Sequence, residues 1–513
     1  MLLDSARRPA IPLAGRLTPG TLERAALPVE FELDAEVRRR IAACRDYTAR
    51  TMGDGREVYG ATTGFGPLVA FPGRADHAGQ CDNAINHLLA GQGQDLPPAV
   101  VRAALTVRLW SLCQGRSGVS PQVVDALRAA LRTSFAPAVP TYGSVGASGD
   151  LIPLAHAARA LRGHGHAYLG GERLPAAEAL RRAGLTPLEL DGRDALALVN
   201  GTSVTAAAAA LATARLHRSY RTALTLSACL ADLLGAAPAF LAPQLLRAFG
   251  HPDAVRAAAD LRELMAGTVP APGRPLQEPY SIRCTPQLLG AAAASLGHAG
   301  RVIGDDLAGI SDNPLFFAED DLVAHGGNFF GQPVAFAADL LSMTATQLGN
   351  LAERQLDLLV DPHRNGGLPP MLAAEPGRQH GVQGVQLAAT ATVAAMRREA
   401  VPASVQSLPT NGHNQDVVPF GTQAALTALA QAERLRWLHG SLAVALRQAA
   451  FLSVRGSGRG PSAPRCAAVL ERLAAVIAPV DPDRALDEEV RRAADVLDGL
   501  GDESADEFEE QQP

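Results

Sequence analysis

From Thr202 to Ala237 the chain reads TSVTAAAAALATARLHRSYRTALTLSACLADLLGAA, with no proline before Pro238 and apolar residues recurring at helical spacing. Alanine and leucine favour helix strongly, and the residue that would break one is missing. Three further stretches share the pattern: Pro333 to Asp361, Gly381 to Ala400 and Gly421 to Val454. Helices that are apolar on most faces must bury several sides at once, which predicts a bundle covered by its own elements or by other subunits. Aromatic residues make up only 4% of the 513, so the side chains that favour strands are scarce. The expected fold class is therefore mainly α.

Up to about residue 200 the texture differs. Short helical patterns such as Pro97 to Gly115 alternate with Gly- and Pro-rich loops such as YGATTGFGPLVAFPGR. This divides the chain into a loop-rich segment 1–200, a long-helix segment 201–482 and an acidic segment 483–513. The last ends in GDESADEFEEQQP, which lacks periodicity and is expected to be partly disordered.

Net charge is −6, and no basic block is interleaved with aromatics, which argues against a nucleic-acid partner. Cys44, Cys81, Cys113, Cys229, Cys284 and Cys466 are far apart and form no C-x-x-C, so neither a disulfide framework nor a cysteine metal site is expected. The start, MLLDSARRPAIPLAG, has an acid and two prolines where a signal peptide needs an unbroken apolar run. A cytoplasmic protein with no membrane partner fits these features.

The Gly-rich stretch YGSVGASGDLIPLAHAA, Tyr142 to Ala158, fits neither phosphate binding nor serine hydrolysis: it lacks the G-K-[ST] ending of a P-loop and misses the G-x-S-x-G elbow. His164 and His166 in RGHGHAY have no third ligand nearby and read as a loop feature. In Ala147-Ser148-Gly149 a bare glycine amide can approach the carbonyl two residues back, since neither flanking residue brings bulk. If the Gly149 nitrogen attacks the Ala147 carbonyl and Ser148 loses water, the backbone becomes a five-membered methylidene-imidazolone electrophile. A plain turn before a helix, with Asp150 as its cap, accounts for the same three residues equally well.

The company these residues keep decides between the two. YGATTGFGPL (Tyr59 to Leu68), GSVGASGDLIPLAH, DALALVNGTS (Asp194 to Ser203), LQEPYSIRCTPQ (Leu276 to Gln287), SDNP (Ser311 to Pro314), HGGNFFGQ (His325 to Gln332), LAERQ (Leu351 to Gln355) and NQDVV (Asn414 to Val418) occur in this order. Over residues 57 to 455 the chain resembles the aromatic amino acid ammonia-lyases and related 2,3-aminomutases. The resemblance implies an L-aspartase/fumarase-like long helical bundle, its loop-rich N-terminal domain carrying a 4-methylidene-imidazol-5-one (MIO) built from Ala147, Ser148 and Gly149. It implies no metal or nucleotide cofactor.

Eliminating ammonia removes a weakly acidic β-proton and a poor leaving group, more than side-chain acid-base catalysis of about 10²–10⁴-fold supplies alone. An electrophile that binds the amine or perturbs the ring answers that need. By resemblance Tyr59 is the base, a role that needs neighbouring dipoles favouring the phenolate. Arg283 and Asn313 hold the substrate carboxylate, while Asn200 and Tyr280 hydrogen-bond near the electrophile. Gly66, Phe329, Asn414 and Gln415 complete the walls.

Histidine ammonia-lyases usually carry glutamate at the position of Gln415 and glutamine at that of Ser203, so both residues argue against histidine as substrate. The side-chain pocket involves NAINHLLAG, where His87 followed by Leu88 resembles tyrosine-selective members. An imidazole there exchanges a hydrogen bond with a phenol, giving L-tyrosine to p-coumarate, with L-phenylalanine and L-histidine as other candidates. Thr62 departs from the asparagine of many members, and NAINHLL lacks a leucine after its first asparagine; both bear on substrate rather than reaction. The resemblance also implies a homotetramer whose active sites draw on several chains. The alternatives are an aminomutase, against which the short segment Leu261 to Leu276 argues by permitting release, and a helical scaffold without activity, which would be expected to lose Tyr59, Ser148 or Arg283.

Overall fold

The computed structural model describes residues 10–458 and 460–509. The expected long helices form at Ser203–Leu234, Gln332–Val360, Gln383–Glu399 and Gly421–Ser457. A fifth, Thr285–Leu307, was not singled out from the sequence. Ala206 to Ala210 are fully buried on every side, the outcome anticipated for a helix apolar all round. No helix among the described residues is long and apolar enough to cross a membrane.

The described residues form two compact units that interleave in sequence. The first comprises residues up to Ala214, then Ala299–Asp339 and Pro402–Leu426; the second holds Arg215–His298, Leu340–Val401 and the remainder from Thr427. The sequence reading cut the chain into contiguous segments near residue 200, whereas long helices contribute residues to both units. Texture along a sequence registers where loops give way to helix, not where contacts cluster.

All described strands lie in the first unit and are short. Gln92–Asp95 pairs antiparallel with Pro140–Tyr142, and His166–Leu169 lies between Ala136–Pro137 and Glu172–Pro175. A hairpin, Leu315–Phe317 with Leu322–Ala324, turns at Asp321, whose φ is +46°. Phe316 from this hairpin joins Cys44, Tyr47, Val58 and Ala61 in one buried cluster. Val58 is fully buried there, which anchors the chain immediately before Tyr59. Nearby, Arg193 and Asp312 form a wholly buried ion pair at 2.9 and 3.1 Å. The Arg193 guanidinium also lies 5.4 Å from the Phe316 ring centroid.

The second unit is helix and loop among the described residues. In the acidic segment, expected from the sequence to be partly disordered, a helix runs from Asp487 to Glu509. Val490, Ala493, Ala494 and Leu497 fall at helical spacing, and the last three are buried. That short apolar stripe was masked by the acidic composition around it. A Cβ on Gly440 would collide with the Val490 carbonyl, so glycine permits this helix to approach the Gly421–Ser457 helix closely. Residues 510–513 lie outside the described residues.

His439, buried in the Gly421–Ser457 helix with its Nε2 unpartnered, is pushed down to about 3 by burial. An unfolded histidine protonates near about 6.5, so this group's contribution is complete above that pH and is lost as pH falls toward 3. His439→Leu is expected to flatten the acid limb of stability by up to about 1.4 kcal/mol per pH unit below about 6.5. Urea unfolding between pH 7 and 4 measures it; an unchanged slope would contradict the assignment.

Candidate active site

One buried carboxylate organises the first unit's centre. Asp150 has no exposure, and its Oδ2 accepts the backbone N–H groups of Val204 and Thr205, both at 2.8 Å. These are donors at the start of the Ser203–Leu234 helix, where a negative charge also meets the positive end of the helix dipole. Its Oδ1 accepts the hydroxyls of Ser144, Thr205 and Thr422 at 2.7–2.9 Å. The anion thus joins the Gly-rich turn, the beginning of the Ser203–Leu234 helix and the beginning of the Gly421–Ser457 helix. The side chain acts as a cap, but for the helix at Ser203 rather than for the one at Leu151, for which it makes no side-chain cap bond.

The turn itself is tight. Gly146 and Gly149 both have φ of +71° and bridge each other, so the backbone doubles back around Ala147 and Ser148. A Cβ on Gly149 would collide with the Gly201 backbone, and the Asp150 N–H donates to the Gly201 carbonyl at 2.7 Å. Ala147 is buried, and Ser148 faces a cavity of about 730 Å³.

That cavity is also lined by Tyr59, Gly66, His87, Leu88, Asn200, Asn414 and Gln415. Gln415 Nε2 donates to Ser148 Oγ at 2.6 Å, and Thr410 Oγ1 donates to Gln415 Oε1 at 2.6 Å. The loop bearing them is strained, with positive φ at the non-glycine residues Asn411 and His413. Asn200 caps the Asp194–Val199 helix and is buried, yet its Oδ1 has no hydrogen-bond partner. A bare glycine amide in a left-handed turn, small flanking residues and an orphaned amide oxygen on Asn200, which lines the same cavity as Ser148, suit the imidazolone group.

Tyr59 is half-buried, and the Gly66 N–H donates to its phenol oxygen at 2.8 Å, an interaction that strengthens when the oxygen carries charge. Gly66 has φ of +54°, the conformation that turns its amide onto the phenol. The Tyr59 N–H donates to His325 Nε2 at 3.4 Å. Burial, reinforced by the nearby Arg193 charge, pushes His325 below the usual imidazole value and so preserves its acceptor nitrogen.

Tyr59 packs edge-on against Phe65 at 6.1 Å, and Phe65 stacks on His87 at 5.2 Å. His87 Nδ1 lies 2.8 Å from the Asn83 carbonyl. A carbonyl only accepts, so Nδ1 carries a proton, and Nε2 is the nitrogen that can accept in the corresponding neutral tautomer. Sequence reasoning missed Gln80, a buried amide whose Nε2 donates to the Gly60 and Thr63 carbonyls at 3.3 Å while its Oε1 accepts the Arg74 N–H at 3.0 Å. A polar residue on the buried side of an otherwise apolar helical pattern was the available signal.

Ala147 and Gly149 flank Ser148 without lining the cavity, and four further anticipated residues are not among its lining either. Asn313 is buried and its Oδ1 accepts the Gly326 N–H, while Phe329 is half-buried elsewhere in the first unit. Tyr280 and Arg283 occupy a short helix of the second unit. Tyr280 is 72% exposed, and the Arg283 guanidinium lies 4.7 Å from its ring centroid.

Comparison with known proteins matches residues 17–475 to the family described as aromatic amino acid lyase. A histidine ammonia-lyase from Symbiobacterium thermophilum is 37% identical, covering 95% of this chain and 96% of that protein. A tyrosine ammonia-lyase from Cereibacter sphaeroides is 39% identical over 88% and 90%. The crystal structure of a tyrosine aminomutase from Streptomyces globisporus superposes with a TM-score of 0.88 at 30% identity, covering 96% and 97%.

Replacing Asp150 by alanine is expected to strip the first turn of the Ser203–Leu234 helix of its acceptor. Hydrogen bonds to a charged group contribute about 1.5–3 kcal/mol each, so unfolding free energy falls by at least that much. Amide exchange at Val204 and Thr205 accelerates in the same variant; unchanged protection there would show that Asp150 is not the cap.

Proposed function

Because the chain belongs to the aromatic amino acid lyase family, we propose that it removes ammonia from an aromatic L-amino acid, L-tyrosine foremost, leaving the trans-2,3-unsaturated acid p-coumarate. The observation that carries this reading is a single cavity lined by Ser148, Tyr59 and His87, with the unpartnered Asn200 oxygen on its wall. The MIO formed from Ala147, Ser148 and Gly149 supplies the electrophile that the reaction needs.

The chain's own residues do the rest. Tyr59 takes the β-proton, and the Gly66 N–H supports the charge that grows on the reacting phenol oxygen. His87 Nε2 accepts the hydroxyl of a tyrosine substrate. Phenylalanine has no hydroxyl to give and leaves that nitrogen unpaired, which disfavours it. Gln415 is a neutral amide, without the charge by which a glutamate would pair with an imidazolium, and this supports tyrosine over histidine.

Arg283 has an unpartnered Nε and forms no ion pair with a carboxylate among the described residues, which suits a guanidinium reserved for the substrate's carboxylate. Tyr280 and Arg283 reach the cavity from another copy of this chain in a homotetramer with shared active sites. Asn313 assists at the carboxylate, and Phe329 packs beside the reacting ring.

Likeness to the tyrosine aminomutase favours one second reading, a 2,3-aminomutase that returns the amine to the β-carbon. Incubation with L-tyrosine, L-phenylalanine and L-histidine separately, following ultraviolet absorbance of the conjugated acid and free ammonia, tests both. Coumarate with stoichiometric ammonia is expected. A β-amino acid without ammonia would identify the mutase, and activity confined to histidine would overturn the substrate assignment. His87→Phe is expected to shift the tyrosine-to-phenylalanine ratio of kcat/KM by about tenfold toward phenylalanine, the worth of one hydrogen bond of about 1.5 kcal/mol.

A further inference from the structure

Arg108 lies in the Pro98–Cys113 helix, where every residue from Val100 to Cys113 is buried, and it has no exposure at all. A guanidinium so placed ordinarily has a carboxylate in contact, since burying an unpaired charge is costly. Arg108 has none among the described residues. Asp312 and Asp150 act on it only through their fields, Asp312 being held by Arg193 and Asp150 by its five donors. Its Nη1 donates to the Asn200 carbonyl and its Nη2 to Ser111 Oγ at 2.8 Å, while Nε has no partner.

The peptide that this charge holds is the back of the cavity wall. Asn200 lines the cavity with its Oδ1 free, and the next residue, Gly201, bridges Gly149 and accepts the Asp150 N–H. A Cβ on Gly201 would collide with Arg108 Nη1 on one side, and a Cβ on Gly149 would collide with Gly201 on the other. Arg108, the Asn200–Gly201 peptide and the Ala147-Ser148-Gly149 turn are therefore stacked with no space between them.

We infer that Arg108 is a positioning residue: it fixes the Asn200–Gly201 peptide against which the Ala147-Ser148-Gly149 turn closes, and so holds Asn200 in the cavity wall that it shares with Ser148. This rests on the ring chemistry proposed above. In that closure the Gly149 nitrogen bonds to the Ala147 carbonyl carbon, whose oxygen leaves as water with the amide hydrogens of Ser148 and Gly149. The Ser148 hydroxyl leaves with the Cα hydrogen as a second water. No oxidant or reductant is needed, so placement of the reacting backbone is the step's main requirement.

The test compares full-length wild type, Arg108→Met and Arg108→Lys by intact mass, urea unfolding, and kcat with KM. Methionine removes the charge and keeps much of the volume, so Arg108→Met is expected to be at least as stable as wild type. Its fraction of protein lacking two waters is expected to fall by about tenfold, and kcat by about a hundredfold, what a displacement of about 1 Å costs a reacting geometry, with KM little changed. Arg108→Lys, able to reach Asn200 but not Ser111 as well, is expected to recover part of both.

If Arg108→Met does not fold, folded Arg108→Lys decides: a reduced ring fraction supports the inference, and a complete one overturns it. Full water loss and wild-type kcat in Arg108→Met would overturn it while leaving the proposed function intact. Wild-type protein with both waters retained would overturn the ring chemistry itself, and this inference with it.

Discussion

Everything around the cavity hangs on the burial of one anion. The Asp150 carboxylate is taken wholly out of water, and five hydrogen bonds from three separate stretches of chain offset its desolvation. Remove any of those stretches and the charge is left underpaired, so the Gly-rich turn, the start of the Ser203–Leu234 helix and the start of the Gly421–Ser457 helix are held together as one piece. The turn is thereby fixed before any substrate arrives. Preorganisation of this kind is what a backbone needs if it is to react with itself.

Around that anchor the first unit tolerates features that cost stability. Arg108 is buried without a carboxylate, Asn200 keeps an unpartnered oxygen, and Asn411 and His413 sit in left-handed conformations. All three lie at or directly behind the cavity. Elsewhere in the same unit the buried Arg193 has a carboxylate in contact, that of Asp312. Unpaired groups and strain beside a cavity are features that a chain tolerates where function needs them.

The end of the cavity at His87 is built differently from the end at Ser148. Tyr59, Phe65 and His87 form a line of ring contacts, and the Asn83 carbonyl settles which nitrogen of His87 is free. The Ser148 end depends on backbone position, whereas the His87 end depends on side-chain contacts. Under the function proposed above, a change of substrate selectivity at His87 leaves the turn undisturbed, consistent with a family that includes both histidine and tyrosine ammonia-lyases among this chain's relatives.

Helices such as Ser203–Leu234 and Gly421–Ser457 were legible because periodicity and the absence of proline are local properties, written in consecutive residues. The Ala-Ser-Gly triplet and Tyr59 were legible through motifs that are contiguous in the chain. The Asp487–Glu509 helix escaped notice because four apolar residues were outweighed by acidic neighbours, and Gln80 because a buried amide looks like any polar residue until its partners are known. Long-range placement decided the rest. That Asp150 caps a helix beginning over fifty residues later, that Arg108 braces Asn200, and that Tyr280 and Arg283 fall in a different unit from Ser148 are facts of packing. A sequence alone specifies which groups can donate, accept or turn; only the folded chain decides which of them meet, because hydrogen bonds and steric contacts act over a few ångströms and residues far apart in sequence share no local signal.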